Sequence, residues 1–145
     1  MDNDNRTLDL VNPNEAGNIQ RAVIAWIVEG TGYTVDFEYL GEYSGLCVST
    51  IQAANKTKTY ILGGYEAQYQ FAVYRRLYAE NNDARIEADE ELNMLSAWLE
   101  ENPPTLPAGI RFKRLRRDSN AALLGRYDNG VEDHSITFTL FYEVV

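Results

Sequence analysis

The chain has 145 residues, 45% of them hydrophobic, with a formal net charge of −9 and a single cysteine, Cys47. A domain of this length can bury a hydrophobic core without disulfides or metal ions, and the lone cysteine fits a reducing compartment, where we expect it to be a small buried side chain. The acidic balance argues against nonspecific binding of nucleic acid or anionic membranes by the surface as a whole, and no apolar run reaches the roughly 20 residues of a membrane span.

The start of the chain, MDNDNRTLDL, is acidic and polar, unlike a secretory signal peptide. The sequence therefore predicts a soluble, cytosolic protein. Residues 1–13 carry little pattern, and we expect a flexible N-terminal arm there. No repeat or low-complexity tract divides the remainder, which predicts a single domain over residues 14–145.

A first helix is predicted to begin at Asn12, a good N-cap residue, with Pro13 at the first helical position. Glu15 falls at the third position, the spacing of a capping box in which side chains and backbone exchange hydrogen bonds. Gly30 and Gly32 can end this helix. One apolar stripe at helical spacing follows the cap: Ile19, Val23, Trp26 and Ile27.

Four strands are predicted next. Alternating side chains at 34–40 indicate a half-buried strand, and the stretches 46–51 and 58–62 indicate two more. Gly63 and Gly64 suit a hairpin turn or bulge before the fourth strand, at 65–78.

The strand at 65–78 is long, and large side chains alternate with polar ones along much of it. One face carries Tyr65, Ala67, Tyr69, Phe71 and Val73; the other carries Glu66, Gln68, Gln70, Ala72 and Tyr74. The pattern predicts one face buried and one left polar. Polar and aromatic side chains interleaved on an open sheet face suit a protein–protein contact as well as they suit water. Gln68, Gln70 and Tyr74 are therefore candidate subunit-interface residues.

The second half of the chain predicts a helix at 84–101, stopped by the proline-rich stretch NPPTLP. Strands are then predicted at 110–117, 121–127 and 134–145, with DNG at 128–130 as a turn. This order predicts an α+β fold: a mostly antiparallel sheet of about six to seven strands with two amphipathic helices packed on one face.

The strand at 110–117 holds the densest positive charge in the sequence. Five cations fall within seven residues: Arg111, Lys113, Arg114, Arg116 and Arg117. One interpretation is contact with DNA or with an acidic partner. The other, more common for a charge run, is a solvated face paired with carboxylates of the helix at 84–101.

No motif for catalysis, metal binding or cofactor binding is present. His134 is the single histidine, which leaves no second histidine for a metal-ligand pair, and we expect it at the surface. The glycine-rich stretches lack the spacing of phosphate-binding loops. We therefore expect no enzyme activity and no cofactor; an acid/base pair among the many carboxylates is the weakest alternative.

Four stretches carry a resemblance to a known family: AWIVEGTG, KTYILGGYEAQYQFAVYRR, ELNMLSAWLEENPPTLP and SITFTLFYEV. From about Asn14 to Val145 the chain resembles the minor capsid or tail-completion proteins of long-tailed bacteriophages, which include tail terminators. The resemblance implies a small α+β fold that assembles into a ring, commonly of six subunits. Such a ring caps the finished tail tube and offers a docking face to the head.

The implied partners are further copies of the chain, the tail tube protein, and a head-completion or connector protein, with DNA passing through the lumen. The implied location is the host cytoplasm before assembly and the virion, at the junction of head and tail, after it. No catalysis, cofactor or membrane is implied. In this view the long polar-faced strand pairs or stacks against a neighbouring subunit. The alternative is a small adaptor or regulatory module that binds an acidic partner or nucleic acid through residues 111–117.

Overall fold

Two helices lie against one face of a six-stranded, mostly antiparallel sheet in the computed structural model, which describes residues 9–145. The α+β class predicted from the sequence is confirmed. The helices are α1 (Pro13–Thr31) and α2 (Asn82–Glu101). The strands are β1 (Asp36–Phe37), β2 (Gly45–Thr59), β3 (Tyr65–Tyr78), β4 (Ile110–Arg117), β5 (Ala122–Arg126) and β6 (Val131–Val144).

The sheet has the order β1-β2-β3-β6-β4, and β5 also pairs with β6. Only β1 runs parallel to its neighbour; all other pairs are antiparallel. β3 lies at the centre and is paired with β2 on one side and β6 on the other along nearly all of its length. The long strand therefore has no free edge to offer a second copy. The sequence predicted that this strand pairs or stacks against a neighbouring subunit. Pairing through β3 is excluded, so its polar face could contact a neighbour only by stacking.

The stretches predicted as separate strands at 46–51 and 58–62 belong largely to one strand, β2. The polar residues between them interrupt the apolar pattern, but β2 continues through three register shifts, the last between Lys56 and Lys58. Such bulges let a strand bend while it stays paired. Residues 60–62 of the predicted strand lie in the turn instead.

The strand predicted at 34–40 is reduced to the two residues of β1. Glu38 ends it, because its φ of 56° lies in the left-handed region. The expected alternation fails there too: Val35 is buried, whereas Phe37 and Tyr39 are exposed.

Residues 9–11 lie along the second half of β2. The Lys56 N–H donates to the carbonyl of Asp9 at 2.7 Å, and the Val11 N–H donates to the carbonyl of Ala54 at 3.2 Å. The Val11 side chain is buried in the core. Residues 1–8 of the predicted arm lie outside the described residues.

The core lies between the helices and the inward face of the sheet. Burial of each large apolar side chain contributes about 1.5–3 kcal/mol. At the centre, Phe71 stacks on Tyr69 of the same strand and on Phe138 of β6, at centroid distances of 5.5 and 5.4 Å. The predicted stripe of α1 and the predicted inner face of β3 meet here; the buried residues are Ile19, Val23, Trp26, Ile27, Ala67, Tyr69, Phe71 and Val73.

The start of α1 is held by a cap that differs from the predicted one. As expected, the Asn12 side chain accepts from the backbone N–H of Glu15, at 2.9 Å. The carboxylate of Glu15, however, accepts from the hydroxyls of Tyr142, at 2.8 Å, and of Tyr65. It thus ties α1 to β6 and β3 instead of closing the capping box.

Candidate functional site

The face of the sheet opposite the helices carries most of the candidate residues. Neighbouring strands present these side chains in register, so that three rows cross from β3 over β6 to β4. We call this surface the open face. Its rows are Glu66–Glu143–Arg111, Gln68–Phe141–Arg114 and Gln70–Thr139–Arg116.

The first row is a network of charges. Arg111 Nη1 lies 3.0 Å from Glu143 Oε1, and Lys113 Nζ lies 3.4 Å from Glu66 Oε2. The Tyr60 hydroxyl donates to Glu66 Oε2 at 2.5 Å. This hydrogen bond, together with Lys113, lowers the pKa of Glu66. The same hydrogen bond, with burial and the charges of Glu66 and Glu143, raises the pKa of Tyr60 to about 12. Glu66 is thereby held ionised and oriented within the row.

The other two rows place guanidinium groups on an aromatic ring. The Arg114 guanidinium lies 4.1 Å from the centroid of Phe141, and that of Arg116 lies 5.3 Å from it. Arg116 also pairs with Asp118 at 2.5 Å and donates to the hydroxyl of Thr139 at 3.2 Å. These contacts hold the arginines against the sheet.

The cations of the basic run are distributed differently from the expected arrangement. Within residues 9–145, their ion-pair partners are carboxylates of the sheet and of Asp118, not those of the helix predicted at 84–101. Arg117 is separate from the other four, because it pairs across the sheet with Phe138 and so lies on the helix side. No ion pair of Arg114 or Arg117 is found in this part of the chain.

Tyr74 is also separate from Gln68 and Gln70. It lies on the same face, but it lines a shallow depression with Tyr39 and Leu40, residues of the loop after β1. Arg76 holds that loop in place by donating to the carbonyl of Gly41 at 3.1 Å. The structure therefore groups the two glutamines with the basic residues of β4 and puts Tyr74 beside the loop.

The prediction that His134 lies at the surface is wrong. Its side chain is 2% exposed, and Nδ1 lies 2.8 Å from Asp89 Oδ1 of α2. Its neighbour Glu132, also buried, accepts from Arg85 and Arg126, each at 2.8 Å. These groups join β6, α2 and β5.

Burial alone would raise the pKa of Glu132, but hydrogen bonds from Arg126, Arg85 and His134 outweigh it and bring the pKa to about 2. The pKa of Asp133 is likewise lowered, because its two hydrogen bonds from Arg76, at 2.7 and 2.8 Å, outweigh burial. The sequence signal for this cluster is the run of three ionisable residues, 132–134, near the start of a strand. Their partners come from distant parts of the chain, so the sequence alone did not show the pairing. The cluster is fully paired, as a structural anchor requires.

Groups that could carry chemistry are few in the described part of the chain. Between residues 9 and 145, no cluster of three or more histidine, cysteine or acidic residues is placed to hold a metal ion. Neither helix of the described chain is both long and apolar enough to cross a bilayer. Cys47 is buried as expected, and burial raises the pKa of its thiol to about 11.

The fold and the open face define a small α+β domain with a polar, ordered sheet surface. No family model matches the chain, and no curated protein matches it. Among solved structures, a chain of the "virion of native gene transfer agent (GTA) particle" is similar, with a TM-score of 0.62 and 18% sequence identity. The similarity covers 91% of this chain and 99% of that chain, so nearly the whole fold is shared.

Proposed function

We propose that this chain is a structural protein of a phage or phage-like particle, a minor capsid protein that forms a ring, closes the tail tube and joins it to the head. The observation that carries the proposal is the fold shared with a virion chain over 91% of the sequence. The sequence resemblance to tail-completion proteins supports the same class of protein. It also implies a ring, commonly of six subunits. In this role the protein binds copies of itself, the tail tube protein and a head-completion or connector protein, and it has no catalytic task or cofactor.

The edge of the sheet favours subunit contact through side chains and opposes contact by addition of a strand. β4 forms one edge, and it carries exposed Arg111 and Lys113 and a register shift between Phe112 and Arg114. Charged side chains and bulges are devices that prevent uncontrolled strand addition. The open face next to this edge then offers side chains to a neighbouring subunit.

The composition of the open face favours a protein as its partner. Its cations alternate with carboxylates and amides, and three of them (Arg111, Lys113 and Arg116) are already paired within the chain. A surface of this kind suits the polar part of a protein interface. A phosphate backbone, in contrast, is bound by cations that are free to neutralise it.

Arg114 favours the second candidate function, a module that binds nucleic acid or an acidic partner through residues 111–117. It is exposed, and it has no carboxylate partner between residues 9 and 145. The same side chain would face DNA in a ring whose open face lines the lumen. Binding of duplex DNA by a protein that stays monomeric would favour the adaptor.

Native mass spectrometry of the purified protein, alone and mixed with tail-tube subunits of the same particle, tests the proposal. We expect a closed oligomer, either alone or on the end of assembled tubes seen by electron microscopy. A monomer that forms no rings and binds no tube ends would contradict it.

A further inference from the structure

The turn between β2 and β3 exposes two large apolar side chains completely. Ile61 is 100% exposed and Leu62 99%. The turn is nevertheless ordered by hydrogen bonds: the Tyr60 N–H donates to the carbonyl of Gly64 at 3.0 Å, and the Gly63 N–H donates to that of Tyr60 at 3.3 Å. We call residues 60–64 the tip. Because burial of apolar side chains favours association, the tip offers two side chains that a partner could bury.

A mostly apolar cleft of about 260 Å³ lies at the other end of the sheet, between the last turn of α1 and the middle of α2. We call it the helix pocket. Its size is below the roughly 300–1,000 Å³ of clefts that hold drug-sized ligands, so it suits one or two side chains. Its rim includes Met94 and Tyr33, which are 71% and 54% exposed. The apolar walls are Leu46, Leu92, Leu95 and Trp98.

The segment that leads to the tip carries lysines, whereas the helix beside the pocket has an excess of acids. Lys58 lies exposed at the end of β2, two residues before the tip, with Lys56 before it. Beside the pocket, Glu91 of the lining pairs with Arg75 at 3.3 Å, and Glu87 and Glu90 are exposed on the turn of α2 before it, so carboxylates outnumber cations there. A hydrogen bond with Asp83 raises the pKa of Glu87, and the nearby charges of Glu90 and Glu91 raise it further, so like charges are crowded on this helix. Cations of a partner placed here would relieve that repulsion.

We propose that the tip of one copy inserts Ile61 and Leu62 into the helix pocket of the next copy. A chain cannot fill its own pocket, because β2 alone separates the two sites by roughly 40 Å at about 3.3 Å per residue. The contact is therefore heterologous, with different surfaces on the two partners, and its repetition produces a ring when the rotation closes. This inference rests on the proposed ring and names the contact between its subunits.

Cysteine cross-linking tests the contact directly. Ile61→Cys and Met94→Cys both replace exposed residues, and native Cys47 is buried, with the pKa of its thiol raised by burial. A disulfide needs Cα atoms within about 7 Å, so it reports true contact. We expect mixed single variants to give a disulfide-linked dimer upon mild oxidation. The variant with both cysteines should give a ladder of covalent oligomers, and Ile61→Cys mixed with Leu124→Cys, exposed on β5, should give neither.

The variant with both Ile61→Ser and Leu62→Ser gives an independent measurement. Both side chains are in water in the single chain, so circular dichroism should show an unchanged fold. Self-association should weaken at least about tenfold for each side chain lost from the contact. Leu124→Ser is the matched control, since it also removes an exposed leucine.

The outcomes separate the contact from the ring. A wild-type ring that forms no cross-link and tolerates the serine variant would overturn the contact and leave the ring proposal standing. Serine variants that self-associate normally but lose tail-tube binding would assign the tip to the tube and likewise overturn it. A wild-type chain that is monomeric under every condition would overturn both.

Discussion

Gln68 of β3 and Arg114 of β4 pair with the same residue of the strand between them, Phe141 of β6. The amide, the ring and the guanidinium therefore form one row across the open face, with the guanidinium 4.1 Å from the ring centroid. A partner that docks on this face meets all three groups together.

Reversal of the charge in this row should impair assembly and spare the fold. Arg114 is exposed, so we expect Arg114→Glu to change the free energy of unfolding by about 0.5 kcal/mol or less. A glutamate beside Phe141 would remove the cation that a neighbouring subunit meets, and subunit association should weaken measurably by sedimentation velocity.

Arg117→Glu is the matched control for this prediction. It makes the same charge change on the same strand, but Arg117 lies on the helix side of the sheet. Equal loss of assembly in the two variants would mean that net charge, not the open face, is responsible.

The buried ionic cluster should make stability depend on pH in acid. The pKa of Glu132 falls from 4.5 to about 2 upon folding, so the unfolded chain binds more protons between these values. The stabilisation is complete above about pH 4.5 and is lost as the pH falls toward 2. It amounts to roughly 3 kcal/mol at most, and urea titrations between pH 6 and pH 2.5 would measure it.

Glu132→Gln separates this effect from general acid denaturation. It leaves Arg85 and Arg126 without a carboxylate, but both guanidinium groups are partly exposed and can regain water. We therefore expect a loss of roughly 1–3 kcal/mol at pH 7 and a shallower decline below pH 4.5. Glu101→Gln, at an exposed position, should leave both quantities unchanged. Parallel pH profiles for the wild type and Glu132→Gln would contradict the assignment.

The shared carboxylate of Glu15 should couple α1 to the sheet. Tyr142→Phe removes one of its two tyrosine donors in a buried place, which should cost about 1–3 kcal/mol of unfolding free energy. In a double-mutant cycle, Tyr142→Phe and Glu15→Ala should be clearly non-additive. Tyr43→Phe, which removes an exposed hydroxyl, should have little effect in the same denaturant titrations. Additive costs would show that the two groups act independently.

Local patterns predicted the elements whose burial follows from their own sequence. The alternation of β3 predicted most of its buried and polar positions, since successive side chains of a strand must point to opposite sides; Ala72 of the polar face is buried, and Tyr65 of the inner face is only half-buried. The apolar stripe of α1 did the same for the helix. The continuity of β2 could not be read in this way, because its polar middle is held in place by the hydrogen bonds of β3.

The candidate site shows the same division. Period-two alternation placed Gln68 and Gln70 on a polar face, but it could not show that Arg114 and Arg116 join them. That depends on the register of β3, β6 and β4, which are far apart in the chain. The position of His134 was predicted wrongly for a related reason. A lone histidine beside two acids is typical of a surface. Its burial is tolerated because α2 supplies Asp89 to the histidine and Arg85 to the neighbouring Glu132.

Two glycines of α1 should respond in opposite directions to the same substitution. At Gly17, a Cβ would approach only the mobile end of the Arg21 side chain, at 3.2 Å. Gly17→Ala should therefore stabilise the protein by about 0.5–1 kcal/mol, because alanine loses less backbone entropy in a helix. At Gly30, a Cβ would lie 2.6 Å from Cε3 of Trp98, a ring packed between the helices. Gly30→Ala should cost about 1–3 kcal/mol through this overlap. Urea unfolding of both variants measures the difference, and equal stabilisation by both would show that the helices do not approach each other at Gly30.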